Sequence, residues 1–295
     1  MKPSVIVFGG SGFIGQYLVN ELILRGYSVT NADIKKELDH DHDYTFIQCD
    51  ITDRKNISEI ITKGAFDIVY NLAGFANLDL AIHHPYETIN LNVLGNINIL
   101  DACVEAKIKR FVFASSAYAM SNKGSFYGIS KLASEKIVEE YQKRYNLDFT
   151  ILRYGSMYSE LPFDNNYIYS IVKEAVQTGE IRHNGDGQEI REYIHASDAA
   201  KLSVDVIESD DYVNLHIVLT GNEKLRRIEL FELIREIMNE DLKILLVDKA
   251  VPHHYKYTPY SFYPSVSRKL GANPNIDMGQ GILECIRSVH SRKKD

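Results

Sequence analysis

The stretch that most constrains the fold is Gly9-Gly10-Ser11-Gly12-Phe13-Ile14-Gly15, because of what stands on either side of it. Val5-Ile6-Val7-Phe8 just before it is short, apolar and rich in β-branched residues, and reads as a buried strand. After it, Phe13, Ile14, Tyr17, Leu18 and Leu22 recur at helical spacing up to Arg25, and Gly26 closes the helix. Strand, glycine turn and helix in that order is the context a dinucleotide site requires. Gly9 permits the tight turn, Gly12 lets backbone N–H groups approach a pyrophosphate, and Gly15 lets helix and strand pack closely. The free N–H groups and dipole of the helix N-terminus favour the anion. The next strand, Ser28 to Ala32, ends in Asp33, about 20 residues past the turn, where a carboxylate binds the adenosine ribose 2′-OH. Asp33 should repel a 2′-phosphate, which favours NAD; Lys35 and Lys36 leave room for NADP, and a plain turn role would also explain Asp33.

The same alternation continues. Tyr44 to Cys49, Phe66 to Leu72 (followed by Ala73-Gly74), Arg110 to Ala114 and Phe149 to Arg153 read as strands. Helical patterns separate them, among them Tyr86 to Glu105 and Tyr127 to Tyr145. This predicts an α/β fold of the Rossmann type, a doubly wound parallel sheet. Past residue 155 the pattern loosens. Helices are predicted over Asn166 to Gln177, Ser197 to Ile207, Arg227 to Met238 and Gly279 to Val289, with strands near Ile181 to Ile194, Val213 to Leu219 and Leu242 to Val247. Val251 to Pro264 reads as irregular. Residues 1–155, with about 194–220, are expected to form the NAD-binding domain. Residues about 156–193 and 221–295 are expected to form a smaller C-terminal α/β lobe that binds substrate over the sheet's C-terminal edge.

Chemistry concentrates between two of these elements. Ser116 stands at the end of the Arg110 strand, and Tyr127 and Lys131, four residues apart, share one helical face. A phenol is a poor base at neutral pH because its ordinary pKa is about 10, and a nearby ammonium favours the phenolate. With Ser116 on the same substrate oxygen, the set suits removal of an alcohol proton while hydride leaves the same carbon. Tyr and Lys at this spacing also occur by chance on surface helices, so the pair gains meaning only from its surroundings.

Composition narrows the partners. The chain has 295 residues, is 45% hydrophobic and carries a net charge of −7, which disfavours nucleic acid. Cys49, Cys103 and Cys285 lie far apart without metal-ligand spacing and fit a reducing, cytoplasmic setting. Neither a signal peptide nor a membrane span is expected, since no apolar run approaches about 20 residues. Asp39-His40-Asp41-His42-Asp43 reads as a solvated loop, and no metal is expected.

With these residues in place, the chain resembles the extended short-chain dehydrogenase/reductase family, in its NAD-dependent nucleotide-sugar epimerase/dehydratase branch. The resemblance rests on the glycine turn, Asp33, Asp50-Ile51, Asn71-Leu72-Ala73-Gly74, Asn92-Val93-Leu94-Gly95, Ser115-Ser116-Ala117, Tyr127-Gly128-Ile129-Ser130-Lys131 and Arg191-Glu192-Tyr193-Ile194-His195, in that order along nearly the whole chain. It implies that Asp50 and Ile51 flank the adenine, that Leu72, Ala73 and Gly74 pass the cofactor, and that Asn92 supports the site from the next helix. Tyr127, Lys131 and Ser116 become base, partner and hydroxyl orienter, and Lys131 also binds the nicotinamide ribose. Arg191 matches an arginine that grips the substrate pyrophosphate, though an exposed strand residue would look the same. Ser115, Ser116 and Ser156 fall at substrate positions, as do Arg182 and Asn184 near the nucleotide base. Relatives commonly form homodimers by packing the helices near 86–105 and 127–145 into a four-helix bundle, where Tyr141 and Tyr145 could serve.

The departures also inform. The family's 4,6-dehydratases carry Asp-Glu where this chain has Ala117-Tyr118, so a reaction needing an acid and a base there has no obvious groups. The loop from Ser116 to Tyr127 is short, Ser156 replaces a usual Asn, and no arginine lies in Tyr257-Thr258-Pro259-Tyr260-Ser261. The reading is therefore an NAD-dependent oxidoreductase acting at C4 of a nucleotide-activated sugar, UDP- or GDP-linked, as 4-epimerase or 4-dehydrogenase for surface polysaccharide synthesis. A 4-keto-sugar reductase, or a non-catalytic NAD-binding sensor or assembly protein, are the alternatives; fold alone does not separate them.

Overall fold

The computed structural model describes residues 2–35, 44–238, 241–247, 254–257, 268–271 and 276–292. Asp39 to Asp43 and most of the irregular stretch from Val251 to Pro264 lie outside the described residues, including positions 258–261. The strands are β1 (Ser4–Phe8), β2 (Ser28–Asp33), β3 (Thr45–Gln48), β4 (Ile68–Asn71), β5 (Arg110–Ser116), β6 (Phe149–Tyr154), β7 (Ser156–Tyr158), β8 (Glu180–Asn184), β9 (Ile190–His195), β10 (Leu215–Leu219), β11 (Lys224–Arg226), β12 (Lys243–Val247) and β13 (Arg268–Leu270). Eight of them form one sheet in the order β13-β10-β6-β5-β4-β1-β2-β3. Each neighbouring pair in it is parallel.

Alternation along the strands loads both faces of this sheet. Val5 and Val7 of β1 pack with Leu18 and Leu22 of the helix Phe13–Leu24 and with Ala199 and Leu202 of the helix Ala196–Asp205. Ile6 and Phe8 face the other way, onto Ile57 and Ile61 of the helix Arg54–Gly64 and Ile99 and Leu100 of the helix Gly95–Glu105. Strand order reverses between β1 and β4, so the loops after these strands open a crevice at the C-terminal edge. A third apolar cluster lies beyond the edge. It joins Tyr158, Ile168, Val172, Phe231, Ile234, Ile282 and Ile286 from helices Tyr167–Thr178, Arg227–Met238 and Met278–Arg292. Small sheets β11-β9-β7 and β12-β8 belong to this side. Within the stretch expected in the smaller lobe, the chain also returns to the large sheet, because β13 adds to its edge beside β10. Among the described residues no helix is long and apolar enough to cross a membrane.

One buried charge cluster ties the helix Ser125–Tyr145 to the sheet. Glu135, fully buried in the helix Ser125–Tyr145, accepts hydrogen bonds from Arg153 Nε (2.8 Å) and Nη2 (2.7 Å) and from Ser115 Oγ (2.6 Å). Burial alone would raise this carboxyl, but the bonds from Arg153 and His216, the Arg153 charge and the Ser115 bond bring it down to about 2. An unfolded Glu titrates near about 4.3, so this contribution is complete above that pH and is lost as pH falls toward 2. Glu135→Gln keeps the volume but removes the carboxylate from a buried guanidinium. The expected cost is about 3–5 kcal/mol in urea denaturation at pH 7, shrinking as the pH is lowered through 4.

Candidate active site

A cavity of about 800 Å³ runs along the C-terminal edge of the sheet and under the third cluster. Gly9, Gly12, Phe13, Ile14, Gly15, Asp33, Asp50, Ile51, Leu72, Ala73 and Gly74 all line it. The glycine turn is as tight as its sequence requires. A Cβ on Gly9 (φ +81°) would lie 2.5 Å from Ala73 N, and one on Gly15 would lie 2.2 Å from Gly9 O. No side chain caps the helix at Gly12, so its first N–H groups are left to an anion. Asp33 Oδ2 accepts from Ser11 N (3.0 Å) and Oδ1 from Lys35 N (3.2 Å), which fixes the carboxylate at the cavity wall. Asp50 is exposed and its Oδ1 accepts from both Thr52 N and Thr52 Oγ1 at 2.8 Å. This cradle, with a fixed carboxylate at the ribose position, fits NAD.

Asn92 is not part of the wall. It sits in the π turn Asn90–Leu94 and clamps the wall from behind. Its Oδ1 accepts from Phe75 N (2.7 Å) while Nδ2 donates to Phe75 O (3.2 Å) and Ser130 Oγ (2.8 Å). Gly74 (φ +153°) must be glycine here, since a Cβ would stand 2.4 Å from Asn92 Oδ1.

Ser116, Tyr127 and Lys131 meet at the same cavity. Lys131 is buried and donates to Ala114 O (2.8 Å), with its ammonium 5.0 Å from the Phe113 ring and 5.9 Å from the Tyr127 ring. Burial lowers it to about 8, against the pull of Glu135, so at pH 7 it keeps its charge. Burial raises the Tyr127 phenol, the Ser116 hydroxyl acts against that, and Tyr255 adds to it. Burial thus sets the Tyr127 direction, and the Lys131 ammonium is held on a strand carbonyl. Ser115 also borders the cavity, but its hydroxyl is committed to Glu135.

The far side of the cavity carries two guanidinium groups. Arg191, buried in β9, donates to Ile190 O (2.8 Å) and lies 4.2 Å over the Tyr255 ring. Arg227 opens its helix, lies 3.8 Å over the Tyr167 ring and donates to Tyr193 Oη (2.6 Å). Among the described residues neither forms an ion pair with a carboxylate. Ser156 lines the cavity beside them. Arg182 and Asn184 do not: both are exposed on β8, and Arg182 pairs with Glu180 (3.1 Å). The pleat explains this, because Ile181 and His183 take the inward positions and leave Arg182 and Asn184 outside. Sequence reading missed Arg227, Tyr167 and Tyr255; Arg226-Arg227 at a helix start was the one available signal.

Glu160, His195 and Glu284 also gather, away from this wall. His195 Nδ1 accepts from Ser197 N (3.3 Å), so the proton sits on Nε2, 3.3 Å from Glu160 and 3.8 Å from Glu284. An imidazole N–H facing two carboxylates is placed as a donor to them rather than as a metal ligand.

The profile described as the NAD dependent epimerase/dehydratase family matches residues 5–219. A UDP-N-acetyl-alpha-D-glucosaminuronate decarboxylase from Bacillus cytotoxicus is 28% identical over 100% of both chains. A putative UDP-glucose 4-epimerase from Methanocaldococcus jannaschii is 28% identical over 98% of this chain and 99% of its own. Among solved structures, the UDP-glucuronic acid 4-epimerase of Bacillus cereus, in complex with UDP-glucuronic acid and NAD, superposes with a TM-score of 0.84 at 19% identity, covering 98% of this chain and 99% of that one. The match spans most of the chain and includes the glycine cradle, the strand that carries Ser116 and the helix that carries Tyr127 and Lys131, and the chain accordingly belongs to the NAD-dependent epimerase/dehydratase family of extended short-chain dehydrogenase/reductases.

Proposed function

We propose that the protein oxidises C4 of a nucleotide-activated sugar and returns it as the C4 epimer, with a UDP-sugar as substrate. The observation that carries this reading is one cavity that joins the dinucleotide cradle, the Ser116–Tyr127–Lys131 set and two guanidinium groups without carboxylate partners. Two cations backed by aromatic rings suit a diphosphate, and the relatives named above act on UDP-sugars. Arg191 and Arg227 would hold the diphosphate, so that the sugar reaches toward Ser116. Ser116 donates to the reacting oxygen and Tyr127 takes its proton. The Lys131 charge, retained at neutral pH, favours the phenolate form of Tyr127 that accepts this proton. NAD, when bound, supplies the hydride acceptor and donor. Release of the ketone before its reduction would make the same site a 4-dehydrogenase. Asp33 at the ribose position disfavours an NADPH-dependent keto-sugar reductase.

Tyr127→Phe keeps the ring and its packing but has no proton to exchange. Turnover of UDP-sugars should fall at least about 10²-fold, with NAD still bound in the purified protein. Unchanged turnover would remove Tyr127 from the mechanism. An isomer of unchanged mass identifies the epimerase, and a product two mass units lighter the dehydrogenase.

The helices proposed for dimerisation carry an exposed apolar face. Phe126, Ile129 and Leu132 are exposed on one, and Tyr86 and Leu94 on the adjoining helical run. Tyr141 instead turns inward, donating to Asp101 (2.5 Å), with its ring tilted against Tyr145 at 5.3 Å. We infer that a second copy covers this face. Ile129→Glu with Leu132→Glu should convert a dimer into a monomer in light scattering; an unchanged mass would place the interface elsewhere.

A further inference from the structure

The position two residues after Ser116 is held by Tyr118, on the short helical turn Ala117–Met120. Its ring meets the Tyr127 ring edge-on at 6.3 Å, and both line the same cavity. Its hydroxyl lies 2.9 Å from His254 Nδ1, and His254 Nε2 lies 3.1 Å from Asp79 Oδ1. Tyr118, His254 and Asp79 thus form a hydrogen-bonded chain leading out of the cavity, from residues far apart in sequence.

The donors in this chain are fixed by its far end. An ionised carboxylate only accepts, so His254 carries its proton on Nε2 and offers the Nδ1 lone pair. The Tyr118 O–H is therefore the donor to His254, and its oxygen lone pairs remain for the cavity. Burial holds His254 below the usual histidine range; Asp79 opposes that, and the Arg191 and Arg227 charges add to it. The imidazole rests neutral, ready to accept a proton, with a carboxylate placed to stabilise the imidazolium that would form. His254 is 33% exposed and Asp79 71% exposed, so the chain ends in solvent.

We propose that Tyr118, backed by His254 and Asp79, is a second proton-transfer station that removes and returns the hydrogen on the carbon beside the sugar ketone. The inference rests on the C4-oxidation reading, which supplies that ketone. Tyr127 already serves the hydroxyl being oxidised, and the substrate hydrogens that next become acidic are those on carbons flanking the new carbonyl. The C–H bond breaks, its proton goes to the Tyr118 oxygen, and the Tyr118 hydroxyl proton passes to His254 Nδ1. The C–H electron pair forms the carbon–carbon double bond of an enolate, whose oxygen charge faces Ser116 and Tyr127. Reversal of both proton shifts restores the carbon from the same face, with no net oxidation, and leaves a solvent-derived hydrogen there once the proton on His254 has exchanged. The position where the family's dehydratases place a carboxylate thus holds a phenol with its own base, and the hydrogen made exchangeable is the one at C3 or C5.

The full-length protein with NAD is incubated in D₂O with UDP-glucose, UDP-N-acetylglucosamine or UDP-glucuronic acid, and the nucleotide sugar is returned to H₂O before mass spectrometry. Hydroxyl deuterium washes out, so retained label reports a carbon that exchanged with solvent. Reduced cofactor is followed by absorbance in the same samples. The expected result is one retained deuterium per sugar in the wild type. The ratio of label to reduced cofactor should fall at least about tenfold in both Tyr118→Phe and His254→Gln. Cofactor reduction without label in the wild type overturns the station, as does an unchanged ratio in both variants, the result for a simple latch between Tyr118 and His254. Finding neither reduced cofactor nor a C4 epimer with any of the three sugars overturns the C4-oxidation reading, and the station falls with it.

Discussion

The site depends on how one helix is registered on one strand. Lys131 and Glu135 are four residues apart on the helix Ser125–Tyr145, and both point inward. Lys131 bonds the carbonyl of Ala114, and Glu135 bonds the hydroxyl of Ser115 and the guanidinium of Arg153 on the neighbouring strand. Two buried charged groups, each held by partners on β5 or β6, allow no slippage of the helix along the sheet, because a shift would leave one of them unsatisfied. Tyr127 stands one turn before Lys131 on the same face, so this register also sets the phenol beside Ser116. The geometry of the candidate site is thus a by-product of a structural lock, and the lock lies in the core rather than at the cavity.

The rest of the cavity is built from shorter-range necessities. The glycine turn brings a helix end to within backbone contact of the Leu72–Ala73 segment, and Gly74 lets the chain pass under the Asn92 side chain. Those contacts leave no space for side chains along the cofactor side, and backbone groups can face a diphosphate directly. The opposite wall works by different means. Arg191 and Arg227 are desolvated in part, yet aromatic faces and hydroxyl or carbonyl oxygens replace some of the lost hydration. Cations so placed keep their charge available to a ligand, which a carboxylate partner would have neutralised.

What was legible in the sequence follows from this contrast. The cradle and the Tyr127–Lys131 helix are local: glycine spacing, a strand before and a helix after are all within a short stretch of chain. Asp33 is similarly local, sitting at the end of the next strand. The substrate wall is assembled from β9, the helix at Arg227, Tyr167 and the segment at His254–Tyr255, which no spacing connects. Arg182 and Asn184 show the opposite failure. Their place in the chain suggests the wall, but the pleat of β8 turns them outward and His183 inward, where it meets Tyr167 (3.2 Å) and Glu189. The return of β13 to the large sheet was equally hidden, since three residues beside a long irregular stretch carry no periodicity.

The two phenols at the reacting end illustrate how partners, rather than residue type, assign roles. Burial raises both Tyr118 and Tyr127, so neither loses its proton unaided at neutral pH. They pack against each other, so one ionised phenol disfavours ionisation of the other. Tyr127 lies near an ammonium that stays charged, which in the proposed reaction suits it to hold negative charge briefly until it takes a hydroxyl proton. Tyr118 is bonded to a neutral imidazole that leads to solvent, which suits it to pass a proton along instead of storing charge. In the proposed reaction two like groups in one cavity are thereby kept from competing: one works with a fixed cation, the other with a movable proton, and the order of events is set because the second has no acidic hydrogen to take until the first has made the ketone.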